Sequence, residues 1–318
     1  MFNKFKFKRQ RKIGLALGGG GAKGGAHISV LEYLKDMGIR IDMISGSSIG
    51  ALVGAVYCCG NLQKLKSDAL KMKKKNFLML VDPVFPRSGL VSGTEAMSFL
   101  SKYIPSDLKI EDLDIKLGIT ATDFYTGNSI ILEKGNLLAA VRASISIPGI
   151  FVPVVYKDMV LIDGGVAMPT PVEALTMMGA DFTIGVNLHA INKDDKKSEI
   201  KFISGDADKI SVNWDNHKIL NSKSWHWLRS VDTWLKSVKP GKTKQPNIFE
   251  LVDRSISIMS RMHSEHVLPS INTTVLIEPN LSKIGTFDFH DLSKTLNEGH
   301  LACEKVRADL EKKILNRM

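Results

Sequence analysis

Cysteine is scarce in this chain, which has three among its 318 residues: Cys58, Cys59 and Cys303. Their number is odd and two of them are adjacent, so no framework of paired disulfide bridges is indicated. The sequence therefore predicts free thiols in a reducing compartment, and it disfavours the disulfide-stabilised scaffolds of small secreted proteins.

Long uncharged apolar runs are also missing. The longest, around residues 49–59, is well short of the ~20 residues that a membrane-spanning helix needs. The basic N-terminus is followed by glycine-rich sequence and not by the apolar segment of a secretory signal. We therefore expect a cytoplasmic protein that, where it meets a membrane, lies on the inner face as a peripheral protein.

Acidic residues are outnumbered by basic ones, and the net charge is +10. Much of the excess falls in two clusters, at residues 4–12 and 64–75. Basic residues interleaved with aromatic ones, as at Phe5 and Phe7, favour an anionic membrane surface as partner. No helix-turn-helix, zinc-finger or RNA-binding pattern accompanies them, so we expect no nucleic-acid partner. A solvated face is the alternative for either cluster taken singly.

Glycine is concentrated near the start of the chain. A short apolar strand, residues 13–17, runs into four consecutive glycines and then into a predicted helix that ends near Gly38. A second predicted strand, residues 39–45, leads to the next glycine-containing turn. The strand–helix–strand order predicts parallel strands whose following loops lie at the same edge of the sheet.

That second turn has the G-x-S-x-G pattern of a nucleophile elbow, with Ser48 between Gly46 and Gly50. In such an elbow the serine stands at the tip of a sharp strand-to-helix turn, and the glycines leave room for neighbouring backbone. The helix that follows directs its free N–H groups and its dipole at the same point. An ordinary glycine–serine turn is the alternative, because short patterns recur by chance.

The glycine-rich loop before it admits three interpretations. Residues 19–24 fit the dinucleotide pattern G-x-G-x-x-G, but the acidic residue expected at the end of the second strand is displaced, since Asp42 lies early in it. A P-loop would need glycine directly before Lys23 and serine or threonine after it, and neither is present. The third interpretation is an oxyanion hole beside Ser48. Bare backbone N–H groups, unobstructed by side chains, can point at the oxygen of a tetrahedral intermediate there, and with a candidate nucleophile on the next loop this interpretation is the best supported.

A candidate acid follows a later apolar strand, residues 159–162, as Asp163-Gly164-Gly165. An acid at the end of a strand, followed by glycines that allow a tight turn, can face another strand-end loop. An isolated Asp-Gly-Gly is more often a plain turn or an N-capping aspartate.

Two further segments have distinctive residue patterns. The stretch at about residues 192–247 is polar and contains all four tryptophans among cations, which suits a lid or a contact with lipid headgroups. A surface excursion that packs its own aromatics is the alternative. Residues 263–266, His-Ser-Glu-His, do not match H-E-x-x-H or H-x-x-E-H, so we expect no metal and no cofactor.

The three signals in this order resemble the patatin-like phospholipases, including the bacterial and neuropathy-target-esterase-type serine acyl hydrolases. Residues 121–123 and 146–149 also look like sequence of that family. The resemblance covers residues 13–186 strongly and the C-terminal part more loosely. It implies a three-layer α/β/α sandwich with a mainly parallel central sheet. We expect a basic tail, residues 1–12, and one patatin-like domain, residues 13–318, with the tryptophan-rich segment as an insertion.

The resemblance also implies a chemistry. Ser48 would be the nucleophile and Asp163 its direct base, a Ser–Asp dyad without histidine on strand-end loops, with Gly164 and Gly165 completing the acid's motif. The backbone N–H groups of Gly19, Gly20 and Gly21, assisted by Lys23, would form the oxyanion hole. The substrates would be carboxylic esters of phospholipids or lysophospholipids, cleaved through an acyl-enzyme in lipid catabolism.

Two other functions stay open at this point. An α/β-hydrolase esterase also has G-x-S-x-G, but it usually places the elbow after more strands and needs a late histidine, for which His290 and His300 are the candidates. A catalytically idle lipid-binding module could keep the same fold. It would be expected to have lost Ser48, Asp163 or the glycines, and all are present.

Overall fold

In the computed structural model of the chain, the structure describes residues 11–71, 93–190, 248–286 and 288–314. The chain divides into two compact units, residues 1–192 with 252–318, and residues 193–251. Apart from the first turn of one helix, every element below belongs to the first unit. The predicted tryptophan-rich insertion lies outside the described residues, and so does the predicted basic tail apart from residues 11 and 12. Part of the second basic cluster also lies outside them. The domain organisation therefore stays a prediction.

The elements follow one another in mixed α/β order. The strands are β1 (Ile13–Leu17), β2 (Met43–Ser47), β3 (Lys116–Asp123), β4 (Ser129–Leu132), β5 (Val154–Tyr156), β6 (Met159–Asp163), β7 (Phe182–Val186) and β8 (Val275–Ile277). The described α-helices are α1 (Gly25–Asp36), α2 (Ile49–Cys58), α3 (Leu62–Lys71), α4 (Thr94–Leu100), α5 (Leu137–Ser144), α6 (Val172–Met178), α7 (Ile248–Met262), α8 (Leu292–Lys305) and α9 (Arg307–Lys313). None of the helices in these ranges combines the length and apolar character needed to cross a bilayer.

The strands form one eight-stranded sheet in the order β5-β6-β3-β2-β1-β7-β8, with β4 paired to β3 off this path. Strands β3, β2, β1, β7 and β8 run parallel to their neighbours in that series. Strands β4, β5 and β6 pair antiparallel. The mainly parallel central sheet that the resemblance implies is confirmed, and so are the parallel strands β1 and β2 predicted from the β-α-β opening.

Apolar side chains cover both faces of the sheet, as parallel strands require. Along β1 the alternation of side chains puts Leu15 and Leu17 into the larger core, which includes residues of α1, α2 and α8. Ala16 faces the other way and packs into a smaller core with Val172 and Leu175 of α6. The sheet therefore lies between two helical layers, which is the predicted three-layer α/β/α sandwich.

Strand β3 brings two distant segments to one point. Strand β2 pairs with β3 until Ser47 lies opposite Thr120, while β4 occupies the other edge of β3. One residue further along β3, Ala121 pairs with Asp163, the last residue of β6. Because β4 holds one edge of Ala121, β6 must continue along the edge where β2 has just ended. The residue after β2 and the end of β6 are therefore neighbours.

Two element boundaries differ from the prediction. The strand expected at residues 39–45 begins only at Met43, because Ile39 closes α1 by donating its N–H to the carbonyl of Leu34. The strand instead runs on through Ser47, so that the first two residues of the G-x-S-x-G pattern are extended.

Candidate active site

Ser48 occupies a strained turn between β2 and α2. Its backbone angles, φ 53° and ψ −119°, are rare for a residue with a side chain, so the surrounding structure must hold them. A Cβ on Gly50 would collide with the carbonyl of Leu17 in β1, and one on Gly46 would lie 2.6 Å from the amide nitrogen of Ala51. The two glycines of the pattern therefore let β1 and α2 approach the turn closely.

The Ser48 side chain is bound to Asp163. Ser48 Oγ donates a hydrogen bond of 2.6 Å to Asp163 Oδ2, and both residues are buried. Asp163 Oδ1 accepts a 2.7 Å hydrogen bond from the N–H of Gly165. Asp163 is thus both the capping aspartate of a short 3₁₀ turn, Gly164–Val166, and the partner of the serine. Gly164 has no room for a side chain, because a Cβ there would collide with the carbonyl of Thr120.

Burial changes the acidity of this carboxyl group. Removal from water raises the pKa of Asp163 from 3.8 to about 6, although the hydrogen bonds from Ser48 and Gly165 act in the opposite direction. An ordinary aspartate is a weak base near neutral pH. A carboxylate with a raised pKa accepts a proton more readily and is still mostly ionised at pH 7.

The glycine-rich loop lies beside the elbow. A Cβ built on Gly19 would lie 3.5 Å from the Cβ of Ser48. The N–H of Gly19 already donates to the carbonyl of Pro169, at 2.8 Å, so Gly19 anchors the loop and has no free donor. The N–H groups of Gly20 and Gly21 donate to no acceptor within the described residues. Of the three predicted oxyanion donors, two are therefore open.

Glycine is needed at both open positions for different reasons. Gly20 has φ 153°, and a side chain there would press on Leu188 and His189. Gly21 has φ 56°, and a Cβ would collide with the carbonyl of Thr286, which accepts a hydrogen bond from the next residue, Ala22. The loop is thereby held with its backbone bare of side chains.

Lys23, the fourth predicted member of the oxyanion hole, is buried and contacts a histidine. Its Nζ lies 3.4 Å from Nδ1 of His189. Burial lowers the pKa of Lys23, and the negative charge of Asp253 partly counteracts this. Burial and the nearby lysine lower the pKa of His189 to about 3, so this ring is neutral. The structure shows no hydrogen bond from Lys23 to Ser48.

A second buried histidine, His27, hydrogen-bonds the backbone at the start of the glycine-rich loop. His27 Nε2 lies 2.7 Å from the carbonyl oxygen of Gly18, and burial lowers the pKa of His27 to about 4. The ring is therefore neutral and donates its Nε2–H to that carbonyl. Neither His27 nor His189 was singled out from the sequence, because nothing in the pattern around a lone histidine distinguishes such a role.

The α/β-hydrolase alternative needs a late histidine beside the serine, and the described side chains include none there. His300 meets the ring of Tyr33 edge-on, with centroids 5.3 Å apart, and its Nε2 lies 3.9 Å from Glu304. The side chain of His290 lies outside the described residues. Among the described side chains no histidine hydrogen-bonds Ser48 or Asp163, and no three His, Cys, Asp or Glu side chains are grouped to hold a metal.

Other polar groups around the dyad were missed by sequence reasoning. Ser144 Oγ accepts a hydrogen bond from the N–H of Ser48, and the carbonyl of Ser146 accepts one from the N–H of Asp163. Thr122 Oγ1 donates to the carbonyl of Asp163. For Thr122 and Ser146 the only available signal was that residues 121–123 and 146–149 resemble family sequence, which gave them no individual role, and Ser144 had no such signal.

The fold and the site define the class of the protein: an α/β hydrolytic enzyme with a buried serine–carboxylate pair on strand-end loops. The chain belongs to the patatin-like phospholipase family, a family of lipid acyl hydrolases, because the profile of that family matches residues 15–176, slightly more than half of the chain. The predicted family is thereby confirmed.

Individual proteins that match the chain have modest sequence identity to it. An uncharacterised NTE family protein of Mycobacterium tuberculosis is 27% identical, over 93% of this chain and 92% of its own length. The neuropathy target esterase of Drosophila melanogaster is 36% identical over 182 residues, which is 55% of this chain and 13% of that protein. The crystal structure of VipD from Legionella pneumophila matches with a TM-score of 0.49 and 14% identity, over 96% of this chain and 67% of that one.

Proposed function

We propose that the protein is a serine lipid acyl hydrolase that cleaves carboxylic esters of phospholipids or lysophospholipids through an acyl-enzyme on Ser48. The observation that carries this proposal is the 2.6 Å hydrogen bond from Ser48 Oγ to the buried carboxylate of Asp163. It supplies a nucleophile in direct contact with a base of raised pKa, and needs no third residue between them.

In the first half of the proposed reaction, Ser48 Oγ forms a bond to the acyl carbon while its proton passes to Asp163. The tetrahedral intermediate then collapses, the ester C–O bond breaks, and Asp163 returns the proton to the leaving alcohol. In the second half a water molecule gives a proton to Asp163 as its oxygen attacks the acyl carbon. The fatty acid leaves, and Ser48 recovers its proton from Asp163.

The oxygen that becomes negative in both halves needs donors. We assign this role to the N–H groups of Gly20 and Gly21, the two open donors of the loop, with Gly19 anchoring the loop through Pro169. Helix α2 begins at Ile49, so its first N–H groups have no intrahelical acceptor and its positive end lies at Ser48. We keep Lys23 as an assisting residue near this loop, although its ammonium group contacts His189 and not Ser48. Losing one such donor costs about 100-fold in rate.

A lipid substrate implies contact with a membrane surface. We propose that this contact is transient and favours anionic lipid, because the chain carries a net charge of +10. Of the second basic cluster, the structure describes three lysines, and one of them, Lys66, pairs with Glu32. We assign the attraction to anionic lipid to the other lysines of that cluster and to the basic residues of the N-terminus. A role in lipid catabolism follows from the proposed reaction.

The test is release of fatty acid from mixed vesicles of anionic and neutral phospholipid, and from lysophospholipid micelles, by the purified protein. Wild type should release fatty acid, and the headgroups and acyl positions cleaved define the substrate. Vesicle binding without release by the wild type, under all lipid compositions, would support the catalytically idle lipid-binding module instead.

A further inference from the structure

The end of helix α5 contacts both members of the Ser48–Asp163 pair. At the last residue of the helix, Ser144 Oγ accepts a 2.9 Å hydrogen bond from the backbone N–H of Ser48. Two residues later, the backbone carbonyl of Ser146 accepts a 2.9 Å hydrogen bond from the N–H of Asp163. Ser144 and Ser146 are both fully buried. One turn therefore binds both members of the pair, which follow or end different strands.

The turn is itself held in place by an arginine. Arg142 Nη1 donates to Ser146 Oγ at 2.7 Å, and Arg142 Nη2 donates to the carbonyl of Val152 at 2.8 Å. Ser146 Oγ in turn donates to the carbonyl of Arg142. The guanidinium also lies over the ring of Phe151, 5.3 Å from its centroid. These contacts leave residues 144–146 little freedom to shift.

Ser48 needs such support more than an ordinary residue does. Its angles of φ 53° and ψ −119° store strain, and a strained residue relaxes unless its neighbours hold it. Within the described residues, its backbone N–H donates only to the Ser144 hydroxyl. Relaxation of the elbow would turn the side chain and lengthen the bond between Ser48 Oγ and Asp163.

We propose that Ser144 and Ser146 are positioning residues that fix the distance and angle between the Ser48 hydroxyl and the Asp163 carboxylate. This inference rests on the proposed function only for its catalytic consequence, because the geometric consequence can be measured separately. Ser144 acts through its side chain on Ser48. Ser146 acts through its backbone on Asp163, and its side chain connects that backbone to Arg142.

The direct test is Ser144→Ala, which removes the acceptor and adds no bulk. The matched control is Ser29→Ala in α1, a buried serine whose hydroxyl donates to the carbonyl of Ala26 in its own helix. With a soluble short-chain ester, we expect Ser144→Ala to lower kcat by about 10- to 100-fold with KM changed less than about twofold. Ser29→Ala should retain the wild-type kcat.

The pH profile gives a readout that simple loss of core packing would not change. The hydrogen bond from Ser48 lowers the pKa of Asp163, so weakening that bond should move the acid limb of Ser144→Ala to higher pH. Wild-type kcat and an unshifted acid limb in Ser144→Ala would overturn the proposal. An equal loss of kcat in Ser29→Ala would do the same, because it would assign the loss to general stability.

A crystal structure of Ser144→Ala tests the geometry even if the wild type hydrolyses no ester. We expect Ser48 to change its backbone angles and its Oγ to leave hydrogen-bond distance of Asp163. A bond that remains at the wild-type length in the variant would refute the positioning role. Inactivity of the wild type together with the expected displacement would refute the proposed function and leave the positioning role supported.

Discussion

Ser48 and Asp163 are 115 residues apart in the chain, yet the hydroxyl of one donates a 2.6 Å hydrogen bond to the carboxylate of the other. Strand β3 accounts for this contact, because β2 and β6 occupy successive parts of one of its edges. The end of β2 and the end of β6 meet there, one residue apart in register. Any change that shifts the β3–β6 register would separate the pair, because a one-residue slip reverses the direction of every side chain.

The raised pKa of Asp163 predicts the pH dependence of hydrolysis. The base must be ionised to accept the serine proton, so activity should fall as pH drops through the folded-state pKa of about 6. We expect kcat/KM on a neutral soluble ester to be flat above pH 7 and to fall about tenfold per pH unit well below 6. A profile that stays flat down to pH 4.5 would contradict the assignment of Asp163 as base.

The same burial predicts that the carboxylate destabilises the fold. Because the pKa of Asp163 is raised on folding, from 3.8 to about 6, the folded state loses stability as pH rises through that interval. The cost above pH 6 is about 3 kcal/mol. We therefore expect Asp163→Asn to be inactive but more stable than wild type at pH 7.5, with the difference vanishing near pH 4. Urea unfolding at the two pH values measures it, and a less stable variant at pH 7.5 contradicts the prediction.

The close approach at the elbow predicts which glycine of α2 is indispensable. A Cβ on Gly50 would collide with the carbonyl of Leu17, whose strand is fixed between β2 and β7 and cannot retreat. Gly50→Ala should cost at least about 3 kcal/mol of unfolding free energy.

The matched control for that substitution is Gly54→Ala in the same helix. Its Cβ would lie 3.1 Å from a methyl group of Ile44, which can yield slightly, and alanine favours the helix. Its stability should stay within about 1 kcal/mol of wild type in chemical denaturation. Comparable losses in the two variants would show that the Leu17 contact does not set the cost.

The proposed reaction proceeds without a metal ion. Hydrolysis should therefore be unchanged after dialysis against EDTA and unaffected by added calcium, with fatty-acid release as the measurement. A rate that EDTA abolishes and calcium restores would require a metal-dependent step, and the direct Ser48–Asp163 mechanism would have to be abandoned.

The sequence identifies the β-α-β opening and the dyad candidates because each has a local pattern, whereas the full three-layer fold was expected from the family resemblance. Short apolar strands and glycine-bounded turns predict the β-α-β opening, and G-x-S-x-G is contiguous. The roles of Ser144 and Thr122 have no such pattern, since they depend on which backbone groups lie opposite them after folding. For the same reason, the hydrogen bond from the Gly19 N–H to the carbonyl of Pro169 could not be predicted from the sequence.

The most direct test of the central claim is covalent labelling of the purified protein with a long-chain alkyl fluorophosphonate, followed by mass spectrometry of its peptides. Wild type should gain one adduct, on Ser48, and Ser48→Ala should gain none. Asp163→Asn should be labelled at least about 100-fold more slowly. An adduct on another residue, or labelling of Asp163→Asn at the wild-type rate, would contradict the assignment of Ser48 and Asp163 as nucleophile and base.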